Sequence, residues 1–341
     1  VLSAPKGNFG SIENKGLELT IDAHPFVGEF QWDSNFQISF NRNTLKALSG
    51  TTAASIVGYG QWSDVVCVSE IGKPLYNFYG YVVEGVYESL EDIENSPKTA
   101  KHPSNGVYNR ANTVWVGDLK YKDINEDGVI DTQDRTDIGS PLPLFTFGWN
   151  NTFRYKGFDL NIFLNGSYGN KVLNYSLMNG PSGGLASMRS AWVNQNNDAI
   201  KDRAQLVPID PDKVYEDGSM WYNDITNVKV ANSGTKTPRP TLNDPNDNDR
   251  LSTRYIEDGS YLRIKNLTLG YTFPKRWMNK INFDNIRVYC NIQNLYTFTK
   301  YSGYDPEVGA STQDSSGYAY GVDNGRYPSP TTYSFGVSLT F

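Results

Sequence analysis

Long apolar runs are missing from this chain of 341 residues. No stretch of about 18 consecutive hydrophobic residues occurs, so the sequence encodes no transmembrane helix. Histidine is scarce, and His24 and His102 offer no Ser-His-Asp or zinc arrangement. The two cysteines, Cys67 and Cys290, fit no metal spacing; a disulfide is one reading, and small buried apolar side chains are the simpler one. Basic excess is lacking too: Lys+Arg 31 against Asp+Glu 37, net charge -6, gives no electrostatic face for nucleic acid. There is no phosphate-cradling glycine loop and no N-terminal signal peptide. Carboxylates are plentiful, but nothing pairs two of them as a glycosidase would, so the chain is read as a non-enzyme. None of these absences excludes a membrane, because β-barrel strands cross lipid with about ten alternating residues each.

What is present favours strands. The chain has 13% aromatic residues, 23 Tyr, 7 Trp and 31 Gly, and 38% hydrophobic residues suffice for a core. Strict alternation, the mark of a pleat with two unlike faces, recurs in seven segments. Leu17, Leu19 and Ile21 oppose Glu18, Thr20 and Asp22; Phe30, Trp32, Phe36, Ile38 and Phe40 oppose Gln31, Asp33, Asn35, Gln37 and Ser39. The pattern returns at Phe145 to Tyr155, Phe158 to Leu164, Leu267 to Phe273, Ile286 to Gln293 and Thr332 to Phe341.

Short connections near His24 to Gly28, at Tyr155 to Gly157 and at Pro274 to Asp284 alternate with long ones. That asymmetry belongs to outer-membrane barrels, with tight periplasmic turns and large extracellular loops, and a soluble sandwich has no need of it. The fold class is therefore all-β: a transmembrane antiparallel barrel portion of about seven strands. Residues 43–143 and 170–259 form extracellular loop regions. A short helix is expected within 185–204, and His24 is expected to be exposed in its turn. The polar residues Glu18, Asp22, Gln31, Asp33, Arg287 and Gln293 are expected to line a lumen.

Residues 123–134 read DINEDGVIDTQD. Asp123, Asn125 and Asp127 alternate, Gly128 supplies a sharp turn, Val129 offers a carbonyl, and Asp131 and Asp134 stand at the ninth and twelfth positions of an EF-hand-like loop. The last ligand is a short Asp instead of Glu, so the loop must close tighter, and Ile130 is expected to point inward. Structural calcium is the expectation; an Asx-rich turn without an ion is the bland alternative. The later acidic stretch DPNDNDR lacks the glycine and the twelfth acid and is expected to be a solvated turn. Loop aromatics Trp192, Trp221, Tyr222, Tyr318 and Tyr320 are candidate substrate contacts, although loop aromatics commonly pack their own loop.

Several blocks together resemble the C-terminal part of the SusC-like (SusC/RagA) TonB-dependent outer-membrane transporters. They are Gly72 to Ser89, Gly117 to Asn170, Arg254 to Pro274, Gly303 to Val308 and the ending GRYPSPTTYSFGVSLTF. In the last strand Gly336, Leu339 and the terminal Phe341 resemble that family's barrel-assembly signal. The resemblance implies active import of an oligosaccharide or peptide across the outer membrane, a SusD-like lipoprotein lid, energy delivered through TonB, and a dimer of transporter and lipoprotein pairs. It also implies a barrel of about 22 strands. The plug, the TonB-contacting segment and the remaining strands are then expected outside this chain. A seven-stranded sheet has edges that lipid cannot satisfy, so those strands are required. The competing expectation is a soluble or cell-surface glycan-binding β domain with a structural calcium.

Overall fold

A computed structural model of the chain describes residues 10–48, 55–59, 65–179, 202–241, 244–278, 283–309 and 319–341. Seven long strands dominate: β1 (Gly10–Val27), β2 (Phe30–Leu48), β3 (Phe145–Tyr155), β4 (Phe158–Tyr168), β5 (Tyr261–Thr272), β6 (Asn285–Thr299) and β7 (Thr332–Thr340). They form one antiparallel meander in which sequence order is spatial order. All seven expected strands are present. Among the described residues β1 and β7 are open edges.

The alternation in sequence becomes two unlike faces because the registers keep like with like. One row crosses the sheet as Ile21, Phe36, Trp149, Leu164, Ile264 and Tyr296. Another runs Trp32, Phe153, Leu160, Leu269, Cys290 and Phe335. On the opposite face, Asp33, Thr152, Asn161, Thr268, Asn291 and Ser334 align. A one-residue slip would mix the faces along a whole strand, so the register is strongly specified.

Among the described residues no other layer packs on the apolar face. Phe335 is 81% exposed and Leu17 66%. Two polar side chains on it have a use: the Trp149 indole N–H donates to Ser34 Oγ (2.9 Å) and the Trp32 indole to Asn151 Oδ1 (3.0 Å). Indole nitrogens in an apolar setting need such acceptors.

The short connections all lie at one end of the sheet. Lys156 and Gly157, with φ of 47° and 87°, make the two-residue turn of a tight hairpin. The first turn is tighter than expected, because β1 continues to Val27 and only Gly28 and Glu29 turn. His24 therefore sits on a strand, beside a register shift between Ala23 and Phe26, and its Nδ1 pairs with Asp33 Oδ1 at 2.7 Å.

At the other end the long connections fold into a separate layer with two ordinary cores. The first gathers Tyr87, Ile93, Trp115, Leu119, Ile130 and Val228, and the second Val66, Phe78, Leu173, Tyr255 and Val322. Trp115 and Leu119 are fully buried, each worth about 1.5–3 kcal/mol in removed apolar surface. Cys67 is buried in the second core and Cys290 half-buried on the sheet, and neither is in a disulfide. Among the described residues no helix is long and apolar enough to cross a membrane. The helix expected within 185–204 lies almost wholly outside the described residues.

Candidate functional site

The polar face of the sheet carries charge and amides in contact. Asp33 takes His24 on one side and Arg154 of β3 on the other. Glu18 accepts from Ser39 at 3.4 Å, and Asn35 donates to Asp22. Arg287 of β6 grips Asp159 of β4 with two bonds, 2.5 and 3.0 Å. It does so by passing over Gly270 of the intervening strand, where a Cβ would lie 2.4 Å from its Nη2. Glu18, Asp22, Gln31, Asp33, Arg287 and Gln293 thus share one face, as expected. Asn161 and Thr268 extend the network through Asn150 (2.8 Å) and Asn291 (2.9 Å). A wall of this kind is wettable, and charge-assisted pairs hold its geometry.

The loop layer is held to itself by a buried polar staple that the sequence did not advertise. Asp118 and Arg239, almost fully buried, pair at 2.8 Å. Burial pushes the Asp118 carboxyl up, against the pull of Arg239. Leu119 N donates to Asn248 Oδ1 (2.7 Å), and Asn246 Nδ2 donates to the Leu119 carbonyl (3.0 Å). Two side-chain amides thereby stand in for a neighbouring strand. Asn248 also donates to Asp244 at 2.6 Å, and burial raises the Asp244 carboxyl to about 7. The expectation of a solvated turn here is overturned: Asn246 and Asn248 are buried where the Leu119 backbone needs their polar atoms, and Asp244 is buried with them as the acceptor for Asn248. Arg250, from the same stretch, lies 4.9 Å over the Tyr81 ring and 4.6 Å over that of Tyr121. A second clamp ties the loop after β6 to β5. Arg263, buried, meets Asp305 at 2.5 Å and Glu307 at 2.8 Å.

In the acidic loop, Gly128 turns with φ of 84° and Ile130 is buried in the first core, as expected. Lys98–Thr99 pairs with Val129–Ile130 as a short parallel ladder. Asp123 accepts the N–H groups of Glu126 and Gly128, both at 2.7 Å. Asp127 accepts from Val129 (2.9 Å) and from the Asn125 amide (2.8 Å), and Asp131 from Gln133 N (2.7 Å). Asp134, fully buried, joins the two ends by accepting from Ile124 N (2.8 Å) and Asp131 N (2.7 Å). Among the described residues no three acidic, His or Cys side chains stand together as metal ligands. The loop's own N–H groups close it, and each carboxylate oxygen bonded in this way keeps a lone pair for a hard cation.

Of the aromatic candidates, Trp192 and Tyr318 lie outside the described residues. Trp221 and Tyr222 meet edge to face, centroids 5.7 Å apart, and Trp221 packs on the first core. Tyr320 stacks instead on Tyr76 at 5.8 Å. The structure joins the first two and not the third. In the last strand Gly336 lies under the Tyr289 ring, where a Cβ would fall 2.2 Å from a ring carbon. Leu339 pairs with Ile286, and Phe341 is 92% exposed.

No family model matches the chain. TonB-dependent receptor P3 of Formosa agariphila is 31% identical over 98% of the chain, and TonB-dependent receptor P39 of the same organism 29%. TonB-dependent receptor SusC of Bacteroides thetaiotaomicron is 25% identical over 98% of the chain. The chain spans only 27–31% of these relatives' lengths. Among solved structures, the RagAB peptide transporter superposes with a TM-score of 0.63 at 19% identity, covering 98% of this chain and 30% of that one. That likeness concerns the fold, and it agrees with the meander and the overlying loop layer. The chain is thus related in sequence to TonB-dependent receptors, SusC among them, and its strand arrangement fits the C-terminal portion of such a β-barrel.

Proposed function

We propose that this chain is the part of a receptor that imports an oligosaccharide or peptide across the Gram-negative outer membrane. Energy arrives through TonB, and a SusD-like surface lipoprotein caps the loop layer. The observation that carries the reading is the two-faced sheet with open edges. Its apolar face suits lipid, its polar face suits a water-filled lumen, and β1 and β7 require the receptor's other strands. The loop layer, at the end opposite the tight turns, then lies outside the cell, where a lid and a cargo meet it. Residues Asp123, Asn125, Asp127, Val129, Asp131 and Asp134 take a structural calcium, which adds stiffness to a loop already closed by hydrogen bonds.

The test is to express the whole receptor with its neighbouring lipoprotein and extract both in detergent. Co-purification, together with cargo uptake that stops when TonB is deleted, is expected. Recovery of the receptor as a soluble protein without detergent would replace import with surface glycan binding. Calcium is checked by metal analysis of the Asp123→Ala/Asp127→Ala double variant. One ion fewer is expected, and an unchanged content would remove calcium from this loop.

A further inference from the structure

A half-buried guanidinium of the loop layer, that of Arg110, lacks a carboxylate partner among the described residues. Its charge centre lies 5.1 Å from the Tyr222 ring, and Tyr222 in turn meets Trp221 edge to face. Its Nε is sealed from solvent and has no hydrogen-bond partner. Among the described residues no carboxylate pairs with it: Asp118 is taken by Arg239, and Asp224 by Lys213 at 2.6 Å. Burial, and then the neighbouring charge of Arg239, make the cationic form of Arg110 costlier than usual. A cation–π contact satisfies an arginine whose N–H groups reach water, but it leaves a buried N–H unpaired. The two buried arginine and carboxylate clusters described above, Asp118 with Arg239 and Arg263 with Asp305 and Glu307, are closed by their own partners.

We propose that Arg110, with Trp221 and Tyr222 beside it, binds an oxyanion group carried by the cargo. A planar guanidinium presents paired donors that match a carboxylate or sulfate. Partial burial strengthens the attraction, because the local dielectric is below that of water. The aromatic pair contacts the adjoining apolar or sugar-ring portion of the same ligand. The substrate class is therefore an anionic oligosaccharide or peptide, in preference to a neutral one of the same size. The inference rests on the import reading for its biological meaning, but not for its test, which measures binding alone.

The whole receptor in detergent is titrated, with tryptophan fluorescence as the signal, against two matched pairs. One is a trigalacturonate and the neutral galactose trimer; the other is a short peptide and its C-terminal amide. The charged member of at least one pair is expected to bind about ten- to a hundredfold tighter. Whichever pair discriminates identifies the source of the oxyanion. Arg110→Gln is expected to erase the preference, and Arg110→Lys, which keeps the charge but loses the paired donors, to retain part of it. If Arg110→Gln fails to fold, Arg110→Lys and the loss of the wild-type preference in high salt still decide. Equal affinities within both pairs, or a preference that survives in Arg110→Gln, would overturn the proposal.

Discussion

Between the sheet and the loop layer the burial of apolar side chains is inverted. In the loop layer Trp115, Ile93 and Leu119 are removed from solvent, and the buried carboxyl of Asp118 is paired with Arg239. In the sheet the largest apolar residues point outward, with Val337 at 63% and Phe335 at 81% exposure, while the amides and charges satisfy one another on the other face. Each half obeys the same rule for a different solvent. The loop layer excludes water from its interior, whereas the sheet has no interior of its own and needs hydrocarbon outside it.

The comparison breaks first at the staple. Replacing Arg239 by Leu leaves Asp118 buried without its counter-charge, a loss of about 3–5 kcal/mol. Limited proteolysis of the assembled receptor should then cut the loop layer while the sheet still resists heat in detergent. Simultaneous loss of both would mean the two halves are one cooperative unit. The next largest effect belongs to the lipid face: Leu269→Arg should be destabilising, by up to the about 2–4 kcal/mol that a cation costs at mid-membrane depth. Unfolding in lipid vesicles checks it, and a neutral result would place Leu269 away from hydrocarbon.

The smallest effect is on pH. The folded Asp244 carboxyl titrates at about 7, above its ordinary 3.8. The folded form therefore holds a proton that the unfolded form has lost, and stability falls as pH rises through that window. Loop-layer melting should weaken by roughly 2 kcal/mol between about pH 5 and about pH 7, and Asp244→Asn should flatten the profile. A wild-type profile already flat would show that Asp244 is not buried in solution.

The sheet was legible in sequence because a pleat with two solvents writes a period of two into the chain. The rows at Phe30 to Phe40 and Phe145 to Tyr155 could be read residue by residue. The staple was not legible, because Asp118, Arg239 and Asn248 meet from distant positions with no period to connect them. The stretch from Asp244 to Arg250 misled for a related reason: a polar composition suits exposure equally well as a buried amide network. His24 was misplaced by the strand irregularity before a two-residue turn. The inward direction of Ile130 was readable because the loop motif fixes its offset. Arg110 left no signal, since an unpaired side chain has no sequence partner.

The two indole bonds on the apolar face bear on the order of assembly. β1 with β2, and β3 with β4, are local hairpins, but β2 and β3 meet across residues 49–144. That junction is a seam whose closing carries the entropy of a long loop. Trp149 donates across it to Ser34, and Trp32 donates back to Asn151, so each strand contributes one donor and one acceptor. In water such bonds trade with solvent at little net gain; in hydrocarbon they meet no competitor. The stitching therefore tightens only as the hairpins enter the membrane, and insertion itself becomes the step that sets the register of the seam.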